Sequence, residues 1–307
     1  MPSLNILEFA HLFGTSIDDF DIQTQDFIEK TDFRYRHIGQ KERDNTILNV
    51  LDQIDTDNKD TNKKDKDRWE NGWAENLKDF IDRGYDISAL IPRYVKPNQV
   101  VRLYRDYVDP CDSNIELNFF TVLRYWLFKK YMKEFDAIYE FGCGPGYNLT
   151  FLAELFPDKK LYGLDWAESS IDILNILYNE LGMNVFPMNF DLFEPDYSVE
   201  LEHNCGVFTI GSLEQVGKHH RKFIQYLMDK KPQLCVHIEP LYELYDETNL
   251  IDNLAMRFHK KRNYLSGFLP YLQDLKKENK VDIIKINRMK FGSLFHDGWS
   301  MVAWKPL

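Results

Sequence analysis

Cysteine is scarce in this chain: four in 307 residues, at Cys111, Cys143, Cys205 and Cys235, with no C-x-x-C pair among them. That spacing speaks against a structural zinc site and against a disulfide framework. Long apolar runs are missing too, and none approaches the roughly 20 residues that span a bilayer. The opening Met1-Pro2-Ser3-Leu4-Asn5-Ile6-Leu7-Glu8 has no charged start, no apolar core and no small-residue cleavage site, so it does not read as a secretory leader. Positive charge is in deficit, with 38 Lys and Arg against 49 Asp and Glu for a net charge of -11. A phosphate backbone or an acidic membrane demands a basic face, so neither is an expected partner. No H-x-x-x-H pair or acidic triad stands at the expected strand ends, and no metal is expected. A cytoplasmic protein is the expectation, with a homo-oligomer left open. What is present is bulk: 44% of the residues are hydrophobic, enough for one sizeable domain carrying a large extension.

The chain is organised around Ile138-Tyr139-Glu140-Phe141-Gly142-Cys143-Gly144-Pro145-Gly146-Tyr147-Asn148. The apolar run from Phe135 to Phe141 reads as a buried parallel strand, and Asn148 to Phe156 as an apolar-periodic helix. Glycines at alternate positions between them bring bare backbone toward a ligand at a helix N-terminus. The spacing is G-x-G-x-G, which differs from the G-x-G-x-x-G of dinucleotide enzymes.

Residues 1 to about 55 read as helical, and Asp55 to Asp67, without an apolar side chain, as a solvated loop. A helix restarts at Trp69. From Leu90 to Val108 two prolines and alternating side chains suggest extended segments, with Arg102, Tyr104 and Asp106 sharing one face. This aromatic and arginine-rich stretch reads either as a packed cover or as a lid over a site. Asn114 to Met132 is a long amphipathic helix. From Asp136 onward strand and helix alternate, the sign of a parallel sheet covered on both faces. Strands are expected at 161–165, 184–188, 205–210 and 234–239. Helices are expected near 215–228, 251–260 and 266–279. The tail, with strands at 281–286 and 300–304 and only a loop between, should pair antiparallel. The division expected is a mostly helical extension over 1–113 and an α/β domain over 114–307.

Asp165 closes the second strand, where a carboxylate can accept from ribose hydroxyls, and Trp166 beside it can stack on a base. Asn189-Phe190-Asp191-Leu192-Phe193 follows the third strand, Thr209-Ile210-Gly211-Ser212-Leu213-Glu214-Gln215-Val216 the fourth, and Val236-His237-Ile238-Glu239-Pro240 ends the fifth. In this order the motifs resemble the class I S-adenosylmethionine-dependent methyltransferases over residues 140 to 240. The resemblance implies a Rossmann-like seven-stranded sheet of order 3-2-1-4-5-7-6, with the last strand antiparallel, and S-adenosyl-L-methionine as cofactor. Carried over, it implies cofactor contacts at Glu140, Gly142, Cys143, Gly144, Gly146, Asn148, Asp165, Trp166, Asp191, Leu192, Ile210 and Gly211.

One departure matters. The family's frequent E-H pair is Glu214-Gln215 here, and glutamine is no base near neutral pH. Glu239, at the carboxyl end of its strand, is the first choice for a general base or orienting group, a structural carboxylate being the equal alternative. Glu214 and His237 stand beside it as candidates. Arg262, Asn263 and Tyr264, with Arg102, Tyr104 and Tyr242, are the candidate acceptor contacts. The run Trp69-x-x-Gly72-Trp73-x-x-Asn76-Leu77, then Leu90-Ile91-Pro92-Arg93-Tyr94, resembles putative sugar O-methyltransferases, implying methyl transfer to a hydroxyl of a small molecule. The rivals are N- or carboxyl-methylation of a small metabolite, and a cofactor-binding protein without turnover.

Overall fold

Local chemistry marks the first element plainly: Asn5 accepts from the Leu7 and Glu8 N–H groups and Gly14 closes in the left-handed region, bounding helix α1 (Ile6–Phe13). The computed structural model describes residues 1–57, 59 and 66–307. Helix α2 (Ile22–Lys30), strand β1 (Tyr35–His37), helix α3 (Gln40–Thr56) and helix α4 (Lys66–Asp82) follow. Of the charged run 55–67, Asn58 and residues 60–65 lie outside the described residues; Asp55 and Thr56 still belong to α3, and Asp67 to α4. Strands β2 (Val101–Leu103) and β3 (Asp106–Pro110) form a hairpin. Its two-residue turn is Tyr104-Arg105, with φ of 51° and 67°, the paired positive angles of a tight hairpin turn. Arg102, Tyr104 and Asp106 therefore do not share one strand face as their alternation suggested. Strands β2 and β3 fall in the stretch expected to be extended, whereas β1 interrupts the part that read as helical.

Helix α5 (Ile115–Tyr131) leads into the α/β part: β4 (Ala137–Phe141), α6 (Tyr147–Leu155), β5 (Lys160–Asp165), α7 (Glu168–Asn179), β6 (Val185–Asn189), β7 (Cys205–Ile210), α8 (Arg221–Lys230), β8 (Leu234–Glu239), α9 (Leu250–Arg262), α10 (Phe268–Lys277), β9 (Val281–Arg288), β10 (Phe291–Gly292) and β11 (Ser300–Pro306). The large sheet runs β6-β5-β4-β7-β8-β11-β9. Its first five strands are parallel, and β11 is antiparallel to both neighbours. Numbered within the sheet, this is the order 3-2-1-4-5-7-6, so the Rossmann-like seven-stranded fold is present. Parallel strands need helical crossovers, and those crossovers place every strand end that matters on one edge.

A second, antiparallel sheet has the order β1-β3-β2-β10. Its last strand comes from the stretch between β9 and β11, where only a loop was expected. One continuous core joins α5 and one face of the large sheet to Phe9, Phe13, Phe33, Phe80 and Leu90 of the first hundred residues. Phe291 of β10 stacks on Phe119 of α5 with ring centroids 3.8 Å apart. A second core, with Phe223, Phe268 and Trp304, covers the other face. The first third of the chain is thus built onto the α/β part through shared apolar burial, where each large side chain contributes roughly 1.5–3 kcal/mol.

Candidate active site

At the end of β4 the chain turns through Gly142-Cys143-Gly144-Pro145-Gly146. Gly142 and Gly144 have φ of 70° and 53°, a region that side chains avoid. Space forbids a side chain as well: a Cβ on Gly142 would lie 2.4 Å from the Ser212 Cβ, and one on Gly144 2.8 Å from the Trp73 ring. The turn presents its backbone to a cavity with about 820 Å³ of empty space, open solvent at its mouth included.

Of the expected cofactor contacts, Glu140, Gly142, Cys143, Gly144, Asn148, Asp165, Trp166, Asp191, Leu192, Ile210 and Gly211 all line this cavity. Gly146 does not; it lets α6 approach α7, since a Cβ there would meet Leu174 at 2.7 Å. Asp165 accepts from the Gly144 N–H at 2.8 Å and from the Ala167 N–H at 3.0 Å. It thus ties the glycine turn to the end of β5. Burial raises its carboxyl to about 6, against the opposing pull of these backbone donors. Asp191 accepts from the Phe193 N–H at 2.9 Å, and Trp166 stacks on Phe193 with centroids 5.9 Å apart.

A base and an acid are buried together beside the glycine turn. Arg124 of α5 is fully buried, its guanidinium 3.7 Å from the Phe120 ring centroid and 4.5 Å from that of Tyr147. Its Nε donates to Asn148 Oδ1 at 2.8 Å, and Asn148 Nδ2 donates to Glu140 Oε1 at 2.6 Å. Asn148 therefore bridges a cation and an acid. Arg124 Nη1 and Nη2 and Glu140 Oε2 make no hydrogen bond of good geometry, the Tyr147 phenol being a further polar neighbour of the guanidinium. Burial lowers Arg124 to about 10 and raises Glu140 to about 8. Buried polar groups left unpaired cost on the order of 1–3 kcal/mol each, and more when charged; Glu140 lines the cavity, and Arg124 stands behind the lining residues Phe120, Tyr147 and Asn148.

The first hundred residues supply the outer wall: Trp69 and Trp73 of α4, then Pro92 and Tyr94. The two indoles stack with centroids 5.5 Å apart. Glu70 Oε1 accepts from the Ser169 N–H at 3.1 Å and from its hydroxyl, fastening α4 to the start of α7. Asn76 donates to the Ala89 carbonyl at 2.7 Å, and Arg93 pairs with Glu75 and Asp79. These bonds hold α4 and the Pro92–Tyr94 wall together. Of the stretch from Leu90 to Val108, Pro92 and Tyr94 line the cavity.

Several candidates need correction. Glu239 does not line the cavity. It is fully buried, and its carboxylate accepts from Thr209 Oγ1 at 2.7 Å and from the N–H groups of Ser212, Leu213 and Glu214 at 3.3, 3.0 and 3.0 Å. With four donors from its own chain, it serves as the anchor of the 212–214 turn. His237 is enclosed too, its Nδ1 2.9 Å from Thr209 Oγ1, and burial lowers it to about 3. Glu214 does not line the cavity itself, but its neighbours do. It is half-buried, Gln215 Nε2 donates to it at 2.5 Å, and both Gln215 and Ser212 line the cavity. Burial first, then the Glu239 carboxylate, raises it to about 8, and Arg262 and Arg68 oppose that rise.

None of the six candidate acceptor contacts lines the cavity. Arg102 is fully buried in an ionic cluster with Asp252 and Asp297, and the Tyr104 hydroxyl donates to Glu8 at 2.5 Å. Tyr242 sits in the short turn after β8, near Lys260. Asn263 is the left-handed cap that ends α9. Arg262 donates to Asp57 and to the Tyr264 hydroxyl. Sequence reasoning passed over Arg124, although it lies four residues after Phe120 on the helical stripe that faces inward. It also passed over Phe120 and Tyr147 as wall residues.

No protein-family model and no curated protein matches the chain. Among solved structures, it is similar to a geranyl diphosphate C-methyltransferase from Streptomyces coelicolor A3(2), with 11% identity over 76% of this chain and 98% of that one and a TM-score of 0.43. It is similar to a SAM-dependent methyltransferase from Aquifex aeolicus at 15% identity, over 58% and 87% of the two chains, with a TM-score of 0.37. The O-methyltransferase of a trans-AT PKS multienzyme from Brevibacillus brevis gives 14% identity over 59% and 69%, with a TM-score of 0.42. Among the described residues no helix is long and apolar enough to cross a membrane, and no group of His, Cys, Asp and Glu is arranged to hold a metal ion.

Proposed function

We propose that the protein is an S-adenosylmethionine-dependent methyltransferase acting on a small-molecule oxygen acceptor, a hydroxyl of a sugar or related metabolite. The observation that carries the cofactor is the buried pair beside the glycine turn. Arg124 suits a carboxylate and Glu140 an ammonium, which are the two ends of an amino acid group. Asp165 still has lone pairs for ribose hydroxyls, and Asp191 with Trp166, Leu192 and Phe193 makes a flat apolar slot with one acceptor, suited to an adenine. When bound, the cofactor supplies a methyl group already activated on a sulfonium.

The protein then has to align an acceptor and take a proton. Trp69, Trp73, Tyr94, Phe120 and Tyr147 give the cavity flat apolar faces that exclude water, and such faces also pack against the C–H side of a sugar ring. Glu214 is the base in this reading: ionised, it accepts the hydroxyl proton as the acceptor oxygen takes the methyl group. Glu239 acts through it by fixing the turn on which it stands. Glu214→Gln keeps shape and hydrogen bonds but cannot take a proton, so turnover of a pooled metabolite extract should fall by roughly 10²–10⁴. Cofactor affinity by calorimetry should be nearly unchanged. Full turnover in Glu214→Gln would overturn the hydroxyl acceptor and leave an amine or carboxylate, which needs little or no base.

A further inference from the structure

The wall behind Glu214 is a run of polar contacts that ends in the first third of the molecule. Gln215 Nε2 donates to Glu214 Oε1 at 2.5 Å. The Gln215 side chain also lies against the Tyr264 phenol. Arg262 Nη1 donates to that hydroxyl at 2.7 Å, and its Nε donates to Asp57 Oδ2 at 2.5 Å. Asp57 follows α3 directly, whereas Arg262 closes α9, and the two helices meet over Ile47, Val50, Ile54, Leu254 and Phe258. The Arg262 guanidinium also lies 4.3 Å from the Phe258 ring centroid. It is thus held from three sides, by a carboxylate, a phenol and an aromatic face.

We propose that Arg262 is a positioning residue for Glu214: clamped by Asp57, it orients Tyr264 and Gln215 against the Glu214 carboxyl and places a fixed positive charge behind it. The proposal rests on the reading of Glu214 as the base. It replaces the reading of Arg262 as a contact for an anionic acceptor. The charged groups packed around Glu214 are Glu239 from β8, Arg262 from α9 and Arg68 from α4, with Gln215 as hydrogen-bond donor. The phenols of Tyr94 and Tyr264 are the other titratable neighbours, each feeling the Glu214 charge. Glu239 favours the protonated form of Glu214 and the arginines favour the ionised form. Removing Arg262 therefore shifts Glu214 further from the state in which it can accept a proton, whereas a lysine there keeps the charge and loses the planar fork.

The test needs no acceptor. Full-length protein labelled with ¹³C at glutamate carboxyls is titrated by NMR, and the resonance missing from Glu214→Gln identifies Glu214. Its midpoint should move upward by roughly 0.5–1 pH unit in Arg262→Gln and by less in Arg262→Lys. Tyr264→Phe keeps the ring and removes the hydroxyl that links the two, and should give an intermediate upward shift. It also serves where Arg262→Gln does not fold, as thermal melting would reveal. Unmoved midpoints in the folded variants would overturn the proposal. The base reading is tested apart from it, because turnover retained by Glu214→Gln would remove the base whatever the titration shows.

Discussion

At the scale of single residues, the site holds its ionisable groups away from their ordinary behaviour, and ligand binding should reverse this. Glu140, raised to about 8 by burial, is mainly protonated at pH 7 in the free protein. An ammonium brought against its unpartnered Oε2 favours the ionised form, so its proton must leave. Binding of S-adenosylmethionine at pH 7 should therefore release protons. Calorimetry in buffers of different ionisation enthalpy measures this, and Glu140→Gln should bind more weakly with less release. Above pH 9 the release should fade, because Glu140 is then already ionised. Asp165→Ala should weaken binding by about 1.5–3 kcal/mol, the worth of a hydrogen bond to a charged group; unchanged affinity in that variant would count against its ribose role. Residue identity at this edge was legible, because a glycine turn and acids at strand ends are local patterns. Which acid is fully hydrogen-bonded within the fold was not. Glu214 and Glu239 are 25 positions apart in the chain (239 minus 214), and the difference between anchor and candidate base lies in three backbone N–H groups of the 212–214 turn that only the folded chain aims at Glu239.

At the scale of elements, α4 is the piece that turns a cleft into a cavity. Its helical stripe was readable, and so was the density of aromatic side chains after it. That Trp73 would press on Gly144 was not, because the contact joins residues 71 positions apart (144 minus 73) with no periodicity to signal it. The hairpin of β2 and β3 was hidden for the opposite reason, since a turn at Tyr104-Arg105 uses two residues that rarely take positive φ. Likewise β10 has two residues, too few for an alternation to show. His220 is buried, and its Nδ1 donates to the Gly217 carbonyl at 3.1 Å. Fastening of α4 depends on Glu70, which satisfies the start of α7. Glu70→Ala should cost about 0.5–2 kcal/mol, as loss of a helix cap does. Thermal melting gives that cost. The emission of Trp69 and Trp73 should shift to longer wavelength if α4 lifts, while an unshifted spectrum would mean that the apolar contacts alone hold it.

At the scale of the whole molecule, buried charge links the parts and sets the response to pH. Arg102 from β2 meets Asp252 of α9 and Asp297, both of which also pair with Arg288 of β9. Arg102→Leu should destabilise by about 3–5 kcal/mol, the usual result of breaking a buried ion pair from one side, in a denaturant titration. Burial also raises the carboxyls of Glu116 and Glu239 to about 7 and of Glu140 and Glu214 to about 8. Each binds its proton more tightly when folded, so its contribution is fully present below the ordinary glutamate value and is lost as pH rises toward 7 and 8. His237 and His259, both lowered to about 3, act in the other sense: their contribution is complete above 6.5 and shrinks as pH falls below it. The melting temperature of the cofactor-free protein should therefore fall between pH 6.5 and 8, where the histidine contribution is complete and the carboxyl contribution is still being lost, and level off above that.

The two residues of β10 impose an order of events on synthesis. Gly292 pairs with Arg102 and Phe291 with Leu103, a closure spanning 188 positions (291 minus 103). On a growing chain, the edge of β2 waits without its backbone partner until residues 291 and 292 have been made. Contacts of such long range form slowly, because the intervening loop entropy is lost before the pairing rewards it. A nascent chain paused before residue 281 should thus display β2 and the aromatic face of α5 to chaperones and proteases, and ribosome-bound chains arrested on either side of residue 292 should differ sharply in their resistance to pulse proteolysis.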